Sequence, residues 1–178
     1  IEDLWITYFC VSSNLSTAEL MVHRRDALAQ AIRASVAYPG ITPPVIAGQH
    51  LLVDGGVLNN LPVDIMRGQC SGTMIAADVT EEVDLTVTDS VLPSPWRMFL
   101  RRLAPMRESI RFPSILDVLM RTTVLGSVNQ RNQLVKDVDL YLRPPVQAYK
   151  LLDFTALDDL IEIGYRYTQA RLKEWTES

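Results

Sequence analysis

"LLVDGGVLNNLPVD", residues 51–64, is the stretch on which the reading of this chain turns. An apolar run meets a carboxylate at Asp54, two glycines follow at Gly55 and Gly56, and a polar pair, Asn59 and Asn60, leads to Pro62. The pattern predicts a buried strand, "QHLLV", that delivers Asp54 to its carboxyl end. In an open α/β sheet, functional groups gather beyond such ends. Gly55 and Gly56 tolerate positive φ and let another segment approach closely. The residues alone leave three uses for the acid open. Aspartate before glycine forms an Asx-turn; a carboxylate also accepts a proton from a neighbouring hydroxyl; and Asp64 and Asp78 are candidates to join it in a carboxylate cluster. No histidine or repeated acid spacing supports a particular ion, so neither a metal nor a cofactor is expected.

Working outward, "LWITYFCV" (residues 4–11) reads as a strand buried on both faces, and "ELMVHR" as a second short one. Asp26 is placed to cap a helix over "ALAQAIRASVAY", with Leu28, Ile32 and Val36 on its apolar stripe. Pro39 and Gly40 end it, and "ITPPVIAG" is rigid and non-helical. Pro62 is predicted in the first turn of a short helix. "GTMIAADVT" (72–80) is the next buried strand, and residues 81–95 read as an acidic surface excursion. A short arginine-rich helix, a longer one weakened at Gly126, a strand in "DVDLYLRP" and an amphipathic helix over 156–175 complete the chain. That last helix is expected to place Leu157, Leu160, Ile161, Tyr165, Thr168, Leu172 and Trp175 on one face. Strands alternating with helices give an α/β class with a mixed or largely parallel central sheet flanked by helices.

The 178 residues suffice for one ordinary domain with a core, and 48% of them are hydrophobic. A net charge of -4 argues against a nucleic-acid partner. Two distant cysteines, Cys10 and Cys70, support neither a disulfide scaffold nor a cysteine-rich metal site, and favour a reducing compartment. No apolar run is long enough for a membrane span, and the first residues lack the pattern of a signal peptide. The chain enters an apolar run almost at once, which reads as part of a larger protein.

His23, beside Arg24 and Arg25, reads as a surface residue. His50 shares side parity with Asp54 but stands about 13 Å away along an extended strand, too far for a pair. Arg33 is placed to anchor a carboxylate, Asp54 or Asp64, through a bidentate pair. Trp96, Arg97, Arg101 and Arg102 mix charge with aromatic and aliphatic bulk. They fit either an amphipathic cover helix or a contact with an anionic lipid surface.

Three blocks carry a family resemblance. Arg33, Ala34 and Ser35 precede Pro39 and Gly40; Pro43 and Pro44 follow; Asp54-Gly55-Gly56 with Asn60-Leu61-Pro62 comes third. Their order and spacing, with the opening "WITYFCVSSNLSTAE", resemble the distal part of the patatin-like phospholipase domain, in its neuropathy-target-esterase type. The resemblance covers residues 1–80 as the Asp-bearing part of a catalytic domain. Residues 81–178 look only loosely like that type's helical extension, packed on the same domain.

The resemblance implies a partial three-layer sandwich and a serine hydrolase acting on phospholipids or lysophospholipids through a Ser-Asp dyad. Asp54 would be the base, with Gly55, Gly56, Asn60, Pro62 and Arg33 as site architecture. The family's GxSxG elbow and glycine-rich oxyanion loop are missing from the sequence, and Ser35, Ser71, Ser109 and Ser127 all lack the elbow setting. The nucleophile is therefore expected on an upstream segment or companion chain, and this chain alone is expected to be inactive. A cytoplasmic location, peripheral to a membrane, goes with a lipid substrate. The alternative is a catalytically silent lipid-binding or scaffold module; a carboxylate-centred metal phosphatase has little support.

Overall fold

The computed structural model describes residues 1–80, 122, 125–126, 130–147, 149 and 153–177. The expected excursion at 81–95, the arginine-rich helix with Trp96, Arg97, Arg101 and Arg102, and most of the longer helix after it lie outside the described residues.

Strand β1, Cys10–Asn14, pairs antiparallel with β2, Glu19–His23, on one side. On its other side it pairs antiparallel with β4, His50–Asp54, which also carries β3, Val45–Ala47. The order is β2-β1-β4-β3. All five residues of β1 are buried, among them Ser12, Ser13 and Asn14. The strand expected over 4–11 therefore begins only at Cys10. The ladder with β2 starts at Cys10↔His23, and Leu4, Trp5 and Ile6 are exposed, Trp5 fully. Aromatic and β-branched content marks strand propensity, but a partner strand decides where pairing occurs.

Helix α1, Leu28–Ser35, seats on β1 and β4. Ala31 and Ala34 are buried, as is Ala37 just beyond the helix, whereas Ile32 and Val36 face outward. Of the expected stripe only Leu28 is half-buried: alanines let the helix axis approach the sheet closely, and Ile32 and Val36 point away. Ala27 is the N-cap and no side chain caps the helix; Asp26 instead adopts φ 76°.

Two short helices follow β4: α2, Gly56–Asn59, and α3, Val63–Arg67, with Pro62 at the N-cap of α3. Strand β5, Ile75–Ala77, then pairs in parallel with β6, Leu140–Leu142. Met74, Ala76 and Asp78 are buried while Ile75 and Ala77 are exposed, so the segment is covered on one face rather than two. Val63, Met74 and Ala76 form the core between α3 and this pair, closed by Leu61, Leu134, Val138 and Tyr141.

The last helix, α4, spans Leu157–Glu177. Leu160, Ile163, Gly164, Tyr167, Thr168 and Leu172 make its half-buried stripe, and the Arg143 backbone N–H donates to the Tyr167 hydroxyl at 3.3 Å. Leu157, Ile161, Tyr165 and Trp175, expected on that stripe, are exposed. The chain is α/β, an antiparallel four-stranded sheet joined to a parallel pair, in keeping with a partial patatin-like fold. Among the described residues no helix is long and apolar enough to cross a membrane.

Candidate active site

Asp54 closes β4 opposite Ser12 of β1, and its backbone N–H donates to the Ala37 carbonyl at 2.9 Å. Cross-strand neighbours of this kind hold their Cβ atoms about 4.5–5.5 Å apart on one face. The Gly56 N–H donates to Asp54 Oδ1 at 2.7 Å, which is the Asx-turn hydrogen bond. Among the described residues no donor reaches Oδ2. Burial pushes the Asp54 carboxyl above its ordinary range, and the Gly56 N–H only partly opposes that. The turn and a half-buried, basic carboxylate coexist: one oxygen shapes the bend and the other is left to accept.

The two glycines serve space rather than positive φ. Gly55 has φ -63°, and a Cβ there would stand 2.4 Å from the Val11 backbone oxygen. A Cβ on Gly56 would lie 2.8 Å from Asn60 Oδ1 and 3.0 Å from Asp54 Oδ1. Only glycine lets the acid loop pack on β1 while Asn60 folds back over it.

Arg33 is exposed on α1 and makes no ion pair with Asp54 or Asp64; Asp64 instead accepts from the buried Asn59 carboxamide at 2.8 Å. The turn between α2 and α3 draws Asn59 inward to reach that partner. Asp78 bonds to Thr80, Tyr141 and Arg131 and to neither of the other two aspartates. The three aspartates therefore do not converge, and no metal-holding group occurs among the described residues.

Neither histidine approaches the acid as a partner. His50 Nδ1 pairs with Asn14 Nδ2 at 2.8 Å. His23, expected at the surface, is half-buried and pairs with Ser12 Oγ at 2.7 Å. Pairing of β2 with β1 turns its imidazole onto the strand, and burial lowers its pKa against the opposing charge of Asp26. The sequence reading missed this Ser12–His23 contact and the Asp78 network. Asp78-x-Thr80 at a strand end is an Asx-type signal that points to the second.

The site thus centres on a strand-terminal aspartate in a glycine-shaped loop. Residues 11–67 match the family model of the patatin-like phospholipases. Human patatin-like phospholipase domain-containing protein 6 is 35% identical over 182 residues, spanning 99% of this chain and 13% of its own length. A Caenorhabditis elegans protein, patatin-like phospholipase domain-containing protein ZK370.4, is 39% identical over 94% of this chain and 13% of itself. Lysophospholipase NTE1 of Candida albicans is 34% identical over 98% of this chain and again 13% of itself. The chain belongs to the patatin-like phospholipase family. It spans about one eighth of the length of these curated relatives.

Proposed function

We propose that Asp54 is the general base of a serine acyl-ester hydrolase that acts on lysophospholipids or phospholipids, with the nucleophilic serine supplied by polypeptide outside these 178 residues. The observation that carries this reading is the carboxylate itself. It stands at a strand end with Oδ1 fixed by Gly56 and Oδ2 unclaimed among the described residues, and burial makes it more basic than an ordinary aspartate. A base whose pKa is lifted toward the working pH takes a hydroxyl proton more readily. The names of the relatives, phospholipase and lysophospholipase, support the substrate class.

In the proposed cycle the serine Oγ attacks the ester carbonyl carbon and its proton passes to Asp54. The tetrahedral centre collapses, the alcohol leaves with that proton, and the acyl group stays on serine. Water then attacks the acyl carbon, Asp54 takes its proton, and the fatty acid is released as the proton returns to serine. Ser12 is unsuited to the nucleophile's part. It lies opposite Asp54, but it is wholly buried inside a central strand and its hydroxyl is engaged by His23. Gly55, Gly56, Asn60 and Pro62 shape the acid loop in this reading. A contact with membrane lipid belongs to the same proposal.

The test uses a longer protein that contains this chain together with a serine elbow. Asp54→Asn should lower hydrolysis of a lysophospholipid or short acyl ester by roughly 10²–10⁴-fold without loss of lipid binding. A longer protein that binds lipid but turns over no ester, with or without the substitution, would establish a silent lipid-binding module instead.

A further inference from the structure

We infer that Asp78 and Thr80 are positioning residues for the acid loop: through the Asn60 carboxamide they hold Gly56, and with it the Asp54 carboxylate, in place. Asp78 follows β5 and is buried, and its side chain receives four donors. On Oδ1 it accepts the Thr80 N–H at 2.9 Å and the Thr80 hydroxyl. On Oδ2 it accepts the Tyr141 hydroxyl at 2.6 Å and Arg131 Nη1 at 3.1 Å.

Donor polarity then runs one way along the chain. An ionised carboxylate only accepts, so the single hydroxyl proton of Thr80 must point to Asp78. The remaining lone pairs of Thr80 Oγ1 receive Asn60 Nδ2 at 2.6 Å. That contact sets the amide with its nitrogen toward Thr80 and its oxygen against the face of Gly56 that a Cβ would occupy, a packing contact that confines the glycine and not a hydrogen bond to it. Gly56 in turn supplies the hydrogen bond that orients Asp54. The acid loop is thus braced from Arg131 and Tyr141, more than sixty residues away in sequence. Arg67, which donates to the Asp137 carbonyl, and Asp139, which accepts from the Met74 N–H at 2.7 Å, tie the same two segments together.

This inference rests on the reading of Asp54 as the base, and its test separates the two. Hydrogen exchange of the Gly56 amide is followed by NMR in the 178-residue chain. Thr80→Val, which removes the hydroxyl at constant shape, should speed Gly56 exchange about tenfold, and Thr80→Ser should restore the native rate. The Asp78 amide, bonded to the Leu142 carbonyl, should stay protected in both. Asn60→Ala, which cuts the chain on the other side of Thr80, should reproduce the effect even if Thr80→Val does not fold. In the longer hydrolase Thr80→Val should lower kcat with KM unchanged, and Thr80→Ser should recover it. Unchanged Gly56 exchange in the folded variants, or failure of serine to rescue, would overturn the positioning role. Absence of esterase activity in the unsubstituted longer protein would instead defeat the reading of Asp54, and the exchange rates would still decide the bracing.

Discussion

A methyl group added at Gly55 would meet the backbone of β1, because its carbon would sit 2.4 Å from the Val11 oxygen and 2.6 Å from Val11 Cγ2. Backbone cannot rotate away as a long side chain does. Gly55→Ala should therefore destabilise the chain by about 1–3 kcal/mol, measured by denaturant unfolding. The need for small residues beside the acid was legible in the sequence. The reason was not, since it depends on how close β1 passes, and β1 is forty residues earlier. Asp54 carries a second consequence. Its pKa is raised in the fold, so between the ordinary value of 3.8 and the higher folded value the native state holds more protons than the unfolded chain. Stability falls as pH rises through that window, and the loss persists at neutral pH. Asp54→Asn keeps an oxygen for the Gly56 N–H and removes the buried charge, so it should raise the thermal midpoint at neutral pH. A midpoint that falls would mean the carboxylate has a stabilising partner and is no free base.

Strands β2, β4 and β6 stand where the local pattern placed them, and helix α4 forms over the expected residues although much of its expected stripe is exposed. The failures at this scale have one cause, which is that propensity does not identify the partner. "LWITYF" has the composition of a strand, yet Trp5 and Ile6 are exposed because β2 and β4 pair with the next five residues. In α1 the alanines were the contact face, and a hydrophobicity ranking favours the bulkier side. Burial of β1 was read correctly for Cys10 and Val11, but the polar run Ser12, Ser13, Asn14 gave no sign of being central. Its hydroxyl and amide are satisfied by His23 and His50, contacts that exist only once three strands are assembled. The β1–β2 pair makes a signed prediction. Burial depresses the His23 pKa below 6.5, so the unfolded chain binds the proton first. Stability should be full above about pH 6.5 and decline as pH falls toward the lower folded value. His23→Gln should flatten that decline in unfolding curves taken across this range. Asp78, also depressed, acts in a lower window: burial raises it, but the hydrogen bonds from Thr80 and Tyr141 and the charge of Arg131 outweigh that. Its contribution is lost only as pH drops through its folded value below 3.8, so the two groups separate on the pH axis.

On the scale of the whole molecule, the acid was readable and its support was not. Asp54 follows from a short apolar run ending in Asp-Gly-Gly, a pattern contained in one window. The brace joins Asn60, Thr80, Asp78, Arg131 and Tyr141 across eighty-two positions of sequence, and only a folded chain brings them together. The carboxyl-terminal residues also contribute β6, which pairs with β5 just ahead of Asp78, so they are tied to the brace. What this assembly lacks within its own sequence is the GxSxG elbow that presents a nucleophile, and one missing oxyanion donor alone is commonly worth about 3 kcal/mol of transition-state stabilisation. The most direct measurement is covalent labelling by a fluorophosphonate, which marks only an activated serine. The chain by itself should remain unlabelled, a longer protein bearing the elbow should be labelled at one serine, and Asp54→Asn in that protein should slow labelling by orders of magnitude. Labelling of the isolated chain, or an Asp54→Asn protein that reacts at the native rate, would contradict the assignment of this carboxylate as the base.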